Sequence, residues 1–365
     1  MQTLIPEGTA IGANAVKVLL PAAIAFFVGI GLTPLVAYHL YKHRMWKKKA
    51  RTEALGGGGT PIFNSLHKEK EVGTPRMGGI IIWASVLVVT LFFFDLSIIW
   101  PTSLTVKLNF LSGNQTILLL FTLMAASLVG LADDLLQIWG RGTYVAGGLS
   151  LSRRIGLILI IGAIGACWFY FKLDQSSVFV PLLGDIELGL FFIPFFMLVM
   201  LSLFSGGVID GLDGLAGGVM ASIFTAYAGI AFMQNQIDIA TFSAVLAGGT
   251  LAFLWFNIPP ARFYMGETGM IGLSATLAVM AFLTKAVVPL LIIALPLFVS
   301  SISVSLQLLS KKLRNGKKIF LVAPLHHHFE AIGWPAHKVT MRFWVVSVIC
   351  AILGMVLAIT FPPII

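Results

Sequence analysis

The chain is 365 residues long, 58% hydrophobic and only 11% charged, with a formal net charge of +9. That much apolar side chain exceeds what a soluble core encloses, which excludes a soluble globular domain and a disordered chain. The composition is that of an integral membrane protein.

Apolar runs long enough to cross a roughly 30 Å hydrocarbon layer as helices recur along the sequence. Ten are predicted, over 18–40, 78–99, 115–134, 154–172, 189–206, 214–234, 239–257, 268–284, 286–309 and 342–362. The first lacks a basic n-region and a small-residue cleavage site, so it reads as a retained helix. Between the fourth and fifth, "VFVPLLGDIELG" (178–189) carries strand-forming residues around Gly184-Asp185 and predicts a small external β-hairpin. Cys167 and Cys350 both fall in apolar spans, where a thiol acts as a small hydrophobe, and they give no disulfide or zinc pattern. No soluble segment is long enough to fold alone and no repeat is visible. Residues 1–365 therefore read as one polytopic, all-α membrane domain.

Ten spans put both termini on one side, and the connections 41–77, 135–153, 207–213, 258–267 and 310–341 on the other. In or beside those connections lie 20 of the 24 Lys and Arg. By the positive-inside rule that face is cytoplasmic and the termini lie outside.

Acidic residues gather on the same face. "LADDLLQIWG" ends the third span with Asp133 and Asp134, two carboxylates at the negative end of a helix dipole. They read either as solvated interfacial residues or as a pair offset by something cationic, Mg²⁺ or a titrating catalytic role being the sharper possibility. "SGGVIDGLDGLAGG" (205–218) follows. Asp210 caps the sixth span or joins Asp213, which shares its face at i+3 if the segment is helical. The glycines there serve either helix packing or close approach of backbone amides to a ligand. In "WFNIPPARFYMGETG" (255–269), Pro259-Pro260 end the seventh span and leave Asn257, Arg262, Tyr264 and Glu267 near a short loop. Tyr264 is an interfacial aromatic or a ring on which a base stacks.

"APLHHHFE" (323–330) predicts a cytoplasmic loop. Adjacent side chains diverge by about 100° on a helix and 180° on a strand, so His326, His327 and His328 cannot all meet one ion. Hydrogen-bond donation to phosphate oxygens suits them better. Five carboxylates and many basic groups on one membrane face form a phosphoryl-transfer composition, with Mg²⁺ bridging carboxylates and a diphosphate.

Together "GTPRMGG" (73–79), "ADD", "DGLDGLAGG", "NIPPARFYMGETG", "APLHHHFEAIGWP" and "RFW" resemble the phospho-N-acetylmuramoyl-pentapeptide transferase family, within the polyprenyl-phosphate sugar-1-phosphate transferases. The resemblance covers nearly the whole chain. It implies a multi-pass enzyme of the bacterial inner membrane that moves phospho-MurNAc-pentapeptide from its UDP-linked form to undecaprenyl phosphate, releasing UMP and forming lipid I in peptidoglycan synthesis. Mg²⁺ and a homodimer are also implied; no nucleic-acid partner is. Carried onto this chain, Asp133 resembles the residue that deprotonates the lipid phosphate, Asp134 supports it, and Asp210 matches a further catalytic carboxylate. Glu267, with Asp210, matches the metal site. Gly211, Leu212, Asp213 and Tyr264 match the uridine pocket. Asn257 and Gln307 match polar positions near the nucleoside and cation, His326, His327 and His328 match substrate-binding groups at the nucleotide-sugar site, and Lys68 and Lys70 match basic residues before "GTP".

Three positions depart from the family pattern: Gln137 for a lysine, Gly207 for an asparagine and Glu267 for an aspartate. Arg141, one turn beyond Gln137, replaces the lost lysine if the helix continues that far. The expected chemistry is direct attack of the lipid phosphate on the β-phosphate, with a covalent aspartyl route as alternative. A GlcNAc-1-phosphate transferase and a transporter are the rival functions.

Overall fold

A computed structural model describes residues 7–48, 72–140 and 148–363. In chain order the elements are α1 (Glu7–Lys42), α2 (Ile80–Ile99), a short α3 (Ser103–Leu108), α4 (Asn114–Trp139) and α5 (Leu151–Cys167). The strands β1 (Ser177–Val180) and β2 (Gly184–Glu187) follow. Then come α6 (Phe192–Ser205), α7 (Leu215–Met233), α8 (Ile237–Asn257), α9 (Glu267–Leu283), α10 (Val287–Ile293), α11 (Leu295–Leu313), α12 (Leu325–Ala331) and α13 (Ala336–Thr360). Among the described residues eight helical segments are long and apolar enough to cross a membrane, and nine if the bent α10–α11 pair is taken as one span. Helix α9, at 17 residues, occupies the place of the remaining predicted span.

Helix is the only open-ended solution for these runs, because hydrocarbon offers no partner for backbone N–H and C=O groups. The same rule governs their hydroxyls. Thr33, Thr250 and Thr276 each donate to the carbonyl four residues back, at 2.7–2.8 Å. Large apolar side chains such as Phe27, Leu19, Val345 and Val356 remain exposed on the outside of the bundle, where lipid is their natural solvent.

At the centre, every residue of α9 from Thr268 to Leu283 is buried. It needs no polar stripe, since α4, α6, α2 and α7 surround it. Glycine sets its closest approach. A Cβ at Gly272 would overlap the Ser127 hydroxyl, and one at Gly130 would overlap the Glu267 carbonyl. These two contacts clamp the end of α4, with Asp133 and Asp134, against the start of α9, with Glu267.

The external hairpin expected at 178–189 is present as β1 and β2, antiparallel with Ser177 opposite Glu187 and Val180 opposite Gly184. Two expectations need correction. The single helix expected over 286–309 is broken, α10 and α11 meeting at 77°. Pro296, in the first turn of α11, has no N–H to continue the preceding helix. The histidine segment, expected as a loop, is the helix α12. It starts directly after Pro324 and stops before Gly333 at φ 100°. Seven residues are too few to display a helical period.

Candidate active site

Four helix ends meet on the basic face of the bundle. Asp134 lies about one and a half turns from the end of α4 and is fully buried; its Oδ2 accepts the Thr268 amide at 2.9 Å, and its Oδ1 faces Arg76 Nε at 3.4 Å. Burial alone would lower the Arg76 pKa, but Asp134, Asp210 and Glu267 outweigh it and hold the guanidinium above its ordinary value. Asp133, also fully buried, accepts the Leu149 amide on Oδ1 at 2.6 Å and Gln137 Nε2 on Oδ2 at 2.7 Å. Arg154, from the first turn of α5, reaches Glu267 Oε1 at 2.8 Å and Asp133 Oδ2 at 3.8 Å.

The cationic offset that the aspartate pair demands is thus supplied by Arg76 and Arg154. Sequence reasoning counted both only as topological charge, although Arg76 stands inside "GTPRMGG". Gln137, where the family pattern has lysine, hydrogen-bonds Asp133 from one turn away. Helix α4 ends at Trp139, capped by Gly140 at φ 64°, and Arg141, the expected substitute for the lysine, lies outside the described residues. So do Lys68 and Lys70.

The segment 206–214 is a 3-10 turn followed by an irregular bend, so Asp210 and Asp213 do not share a helical face as expected. Nor does Asp210 cap α7, whose N-cap is Gly214 at φ 76°. Both carboxylates reach instead to the loop before α9: Asp210 Oδ2 accepts the Gly266 amide at 3.3 Å and Asp213 Oδ2 the Ala261 amide at 3.2 Å. Burial, with Asp134 and Asp213 adding repulsion, pushes the Asp210 carboxyl up to about 6. Gly207 packs openly near Met270, and its carbonyl accepts the Asp210 amide at 3.2 Å.

Tyr264 is held by its backbone, its amide donating to Pro75 O and its carbonyl accepting from Gly78 N, each at 2.8 Å. Its ring is half-buried, and desolvation, with Asp213 nearby, pushes its hydroxyl up to about 12. Asn257 bonds to backbone on both sides of its amide. Its Oδ1 accepts from Gly214 N at 3.0 Å and its Nδ2 donates to Phe263 O at 2.8 Å, tying the two loops together. Gln307 likewise accepts the amides of Ile319 and Phe320 and donates to Phe320 O, fixing the segment that leads into α12.

The three histidines do not meet at one point: His326 and His327 converge on Gly211 and His328 turns away. His326 and His327 are buried with ring centroids 4.3 Å apart, and both Nε2 atoms border Gly211, where a Cβ would overlap them. That glycine is required for the close approach, whereas Gly218 serves packing against Trp344. Leu212 is buried beside them. His328 points elsewhere, its Nδ1 accepting the Leu321 amide at 3.2 Å. It fastens the preceding segment and does not join the other two at Gly211.

Among the described residues, no three of His, Cys, Asp and Glu are close enough to cage a metal ion. The donor set nevertheless suits Mg²⁺, a hard cation that binds through one or two carboxylates plus substrate phosphates. Asp133, Asp134, Asp210, Asp213 and Glu267 outnumber the two guanidinium groups that face them, and Asp210 and Glu267 retain partial exposure.

A membrane-embedded helical bundle with its carboxylates, arginines and histidines at one end is the framework of a glycosyl-phosphate transferase. Residues 116–285 match the model of glycosyl transferase family 4. Over 346 residues the chain is 32% identical to a phospho-N-acetylmuramoyl-pentapeptide-transferase of Anoxybacillus flavithermus, covering 93% of this chain and 98% of that protein. A protein of the same name from Geobacillus is 37% identical over 78% of this chain and 84% of its own. A third, from Ruegeria pomeroyi, is 34% identical over 81% and 88%. The chain belongs to the phospho-N-acetylmuramoyl-pentapeptide-transferase family.

Proposed function

We propose that the protein transfers phospho-MurNAc-pentapeptide from UDP-MurNAc-pentapeptide to undecaprenyl phosphate at the cytoplasmic face of a bacterial inner membrane, yielding lipid I and UMP. The observation that carries this reading is the meeting of carboxylates from three chain segments with Arg76 and Arg154, beside a histidine-lined glycine turn. A transporter would instead place its ionisable groups near mid-membrane on broken helices.

In this reaction an oxygen of the lipid phosphate attacks the β-phosphorus of the donor, and the bond from that phosphorus to the UMP oxygen breaks. Asp133 was expected to take the lipid's proton, but its oxygens face Leu149 N, Gln137 and Arg154 in a fully buried position. We assign the proton to Asp210, whose carboxyl is poised at about 6 and keeps an accessible edge. Arg76 and Arg154 would offset charge on the diphosphate, and the turn at Gly211–Asp213 with Tyr264 would hold the nucleoside. Mg²⁺ would be held by Glu267 together with the donor's phosphates, and when bound it supplies neutralisation of charge on the leaving UMP.

The test is UMP release by purified protein given undecaprenyl phosphate and either UDP-MurNAc-pentapeptide or UDP-GlcNAc, with and without Mg²⁺. Release from the muramoyl donor alone, dependent on Mg²⁺, is expected. Silence with both donors sinks the transferase reading, and preference for UDP-GlcNAc transfers it to the sister reaction. Gly211→Ala places a methyl against both histidine rings. It is expected to raise KM for the UDP donor by about tenfold or more through misplacement of the pocket wall. An unchanged KM would move the nucleotide away from this turn.

A further inference from the structure

Glu330 is absent from every role assigned above, yet it lies one turn after His327 on α12, and both side chains are buried. Its Oε2 is 2.7 Å from His327 Nδ1. A carboxylate only accepts, so the proton in that contact belongs to the imidazole, as where carboxylates fix the tautomer of ligating histidines. The opposite ring edge borders Gly211, whose added Cβ would stand 2.8 Å from His327 Nε2. The next residue shows the reverse arrangement. His328 accepts the Leu321 amide on Nδ1, which puts its own proton on Nε2.

We infer that Glu330 is a positioning residue that keeps the His327 proton on Nδ1 and turns the Nε2 lone pair toward Gly211, where it accepts a hydrogen bond from a hydroxyl or N–H of the nucleotide-sugar. The inference rests on the transferase reading for its ligand, but not for the tautomer. It reverses, for His327, the donation to phosphate oxygen expected from the sequence. Without Glu330 the Nδ1 proton loses its carboxylate acceptor, the two tautomers come closer in energy, and the Nε2 acceptor is lost for part of the population.

The test joins spectroscopy to kinetics on the full chain in lipid nanodiscs. Nitrogen-15 spectra of ring-labelled histidine, assigned with His327→Gln and His328→Gln, are expected to show His327 as the Nδ1–H tautomer and His328 as the Nε2–H tautomer. Glu330→Ala is expected to raise KM for UDP-MurNAc-pentapeptide about tenfold while kcat stays within about twofold. Glu330→Gln keeps a carbonyl acceptor at the same reach and should recover most of that loss. A wild-type His327 found as the Nε2–H tautomer or as imidazolium overturns the proposal, as does an unchanged KM in Glu330→Ala or an equal loss in the two Glu330 variants. If wild-type protein releases no UMP, the transferase reading has failed, whereas the spectra, which need no substrate, still decide whether Glu330 sets the ring.

Discussion

Asp210→Asn is expected to lower turnover by about 10²–10⁴-fold and, at the same time, to raise the thermal stability of the unliganded protein at pH 7. The rate loss is that of removing a general base. The stability gain follows from the sign of the pKa shift. Burial and the neighbouring Asp134 and Asp213 raise the folded-state carboxyl from 3.8 to about 6. Its stabilising contribution is therefore complete below about 4 and is lost as pH rises through about 6, so at pH 7 the folded protein carries an ionised group it disfavours. Asparagine keeps an acceptor oxygen for the Gly266 amide and removes that charge. Because the side chain is partly exposed, screening reduces the gain to a rise of about 2–4 °C in Tm. In the wild type, kcat/KM should fall as pH drops through about 6. Melting curves at pH 4.5 and 7 with parallel UMP assays check all three points; a lower Tm for Asp210→Asn at pH 7, or an undiminished rate, contradicts them.

Arg154→Ala should have the largest structural effect of any single change at the site, a loss of about 3–5 kcal/mol together with activity. Arg154 is almost wholly buried and bridges Glu267 at 2.8 Å and Asp133 at 3.8 Å. Alanine leaves both carboxylates facing each other with their positive partner gone, and Asp133 has no water to turn to. Arg154→Lys keeps the charge but not the forked reach, so a folded protein with reduced turnover is expected from it. Melting temperatures of both variants and of the Arg154→Ala/Glu267→Ala double variant give the coupling between the two side chains. If the double variant is no more stable than the sum of its parts predicts, Arg154 and Glu267 do not act as a pair. Arg141, the substitute suggested by sequence, lies outside the described residues.

Much of this was legible before any coordinates. The spans followed from apolar length, because a bilayer accepts only helices or closed barrels. The hairpin followed from strand-forming residues flanking Gly184, and the acidic clusters from their position at span ends. The family motifs pointed to residues the structure does bring together: Asp133, Asp134, Asp210 and Glu267, with His326 and His327 beside Gly211. Other contacts were not legible. Asn257, Gln307 and His328 bond to backbone groups of neighbouring loops, and nothing in local sequence reports a partner such as Gly214, 43 residues from Asn257. Helix α12 was too short to show a period, and the α10–α11 break hung on one proline among apolar residues.

The sequence by itself determined that this chain is a helical membrane protein with its chemistry at one face, since hydropathy and charge act on each segment independently. Only the tertiary structure decided which charges face one another. Arg76 and Arg154 stand 58 and 113 positions from their partners Asp134 and Glu267, and a lone charge carries no mark of its future partner. Those pairings arise where α4 and α9 close on Gly130 and Gly272, just as the histidines of α12 reach the turn at Gly211. Close approach, which depends on missing side chains as much as on present ones, turns scattered polar residues into one site.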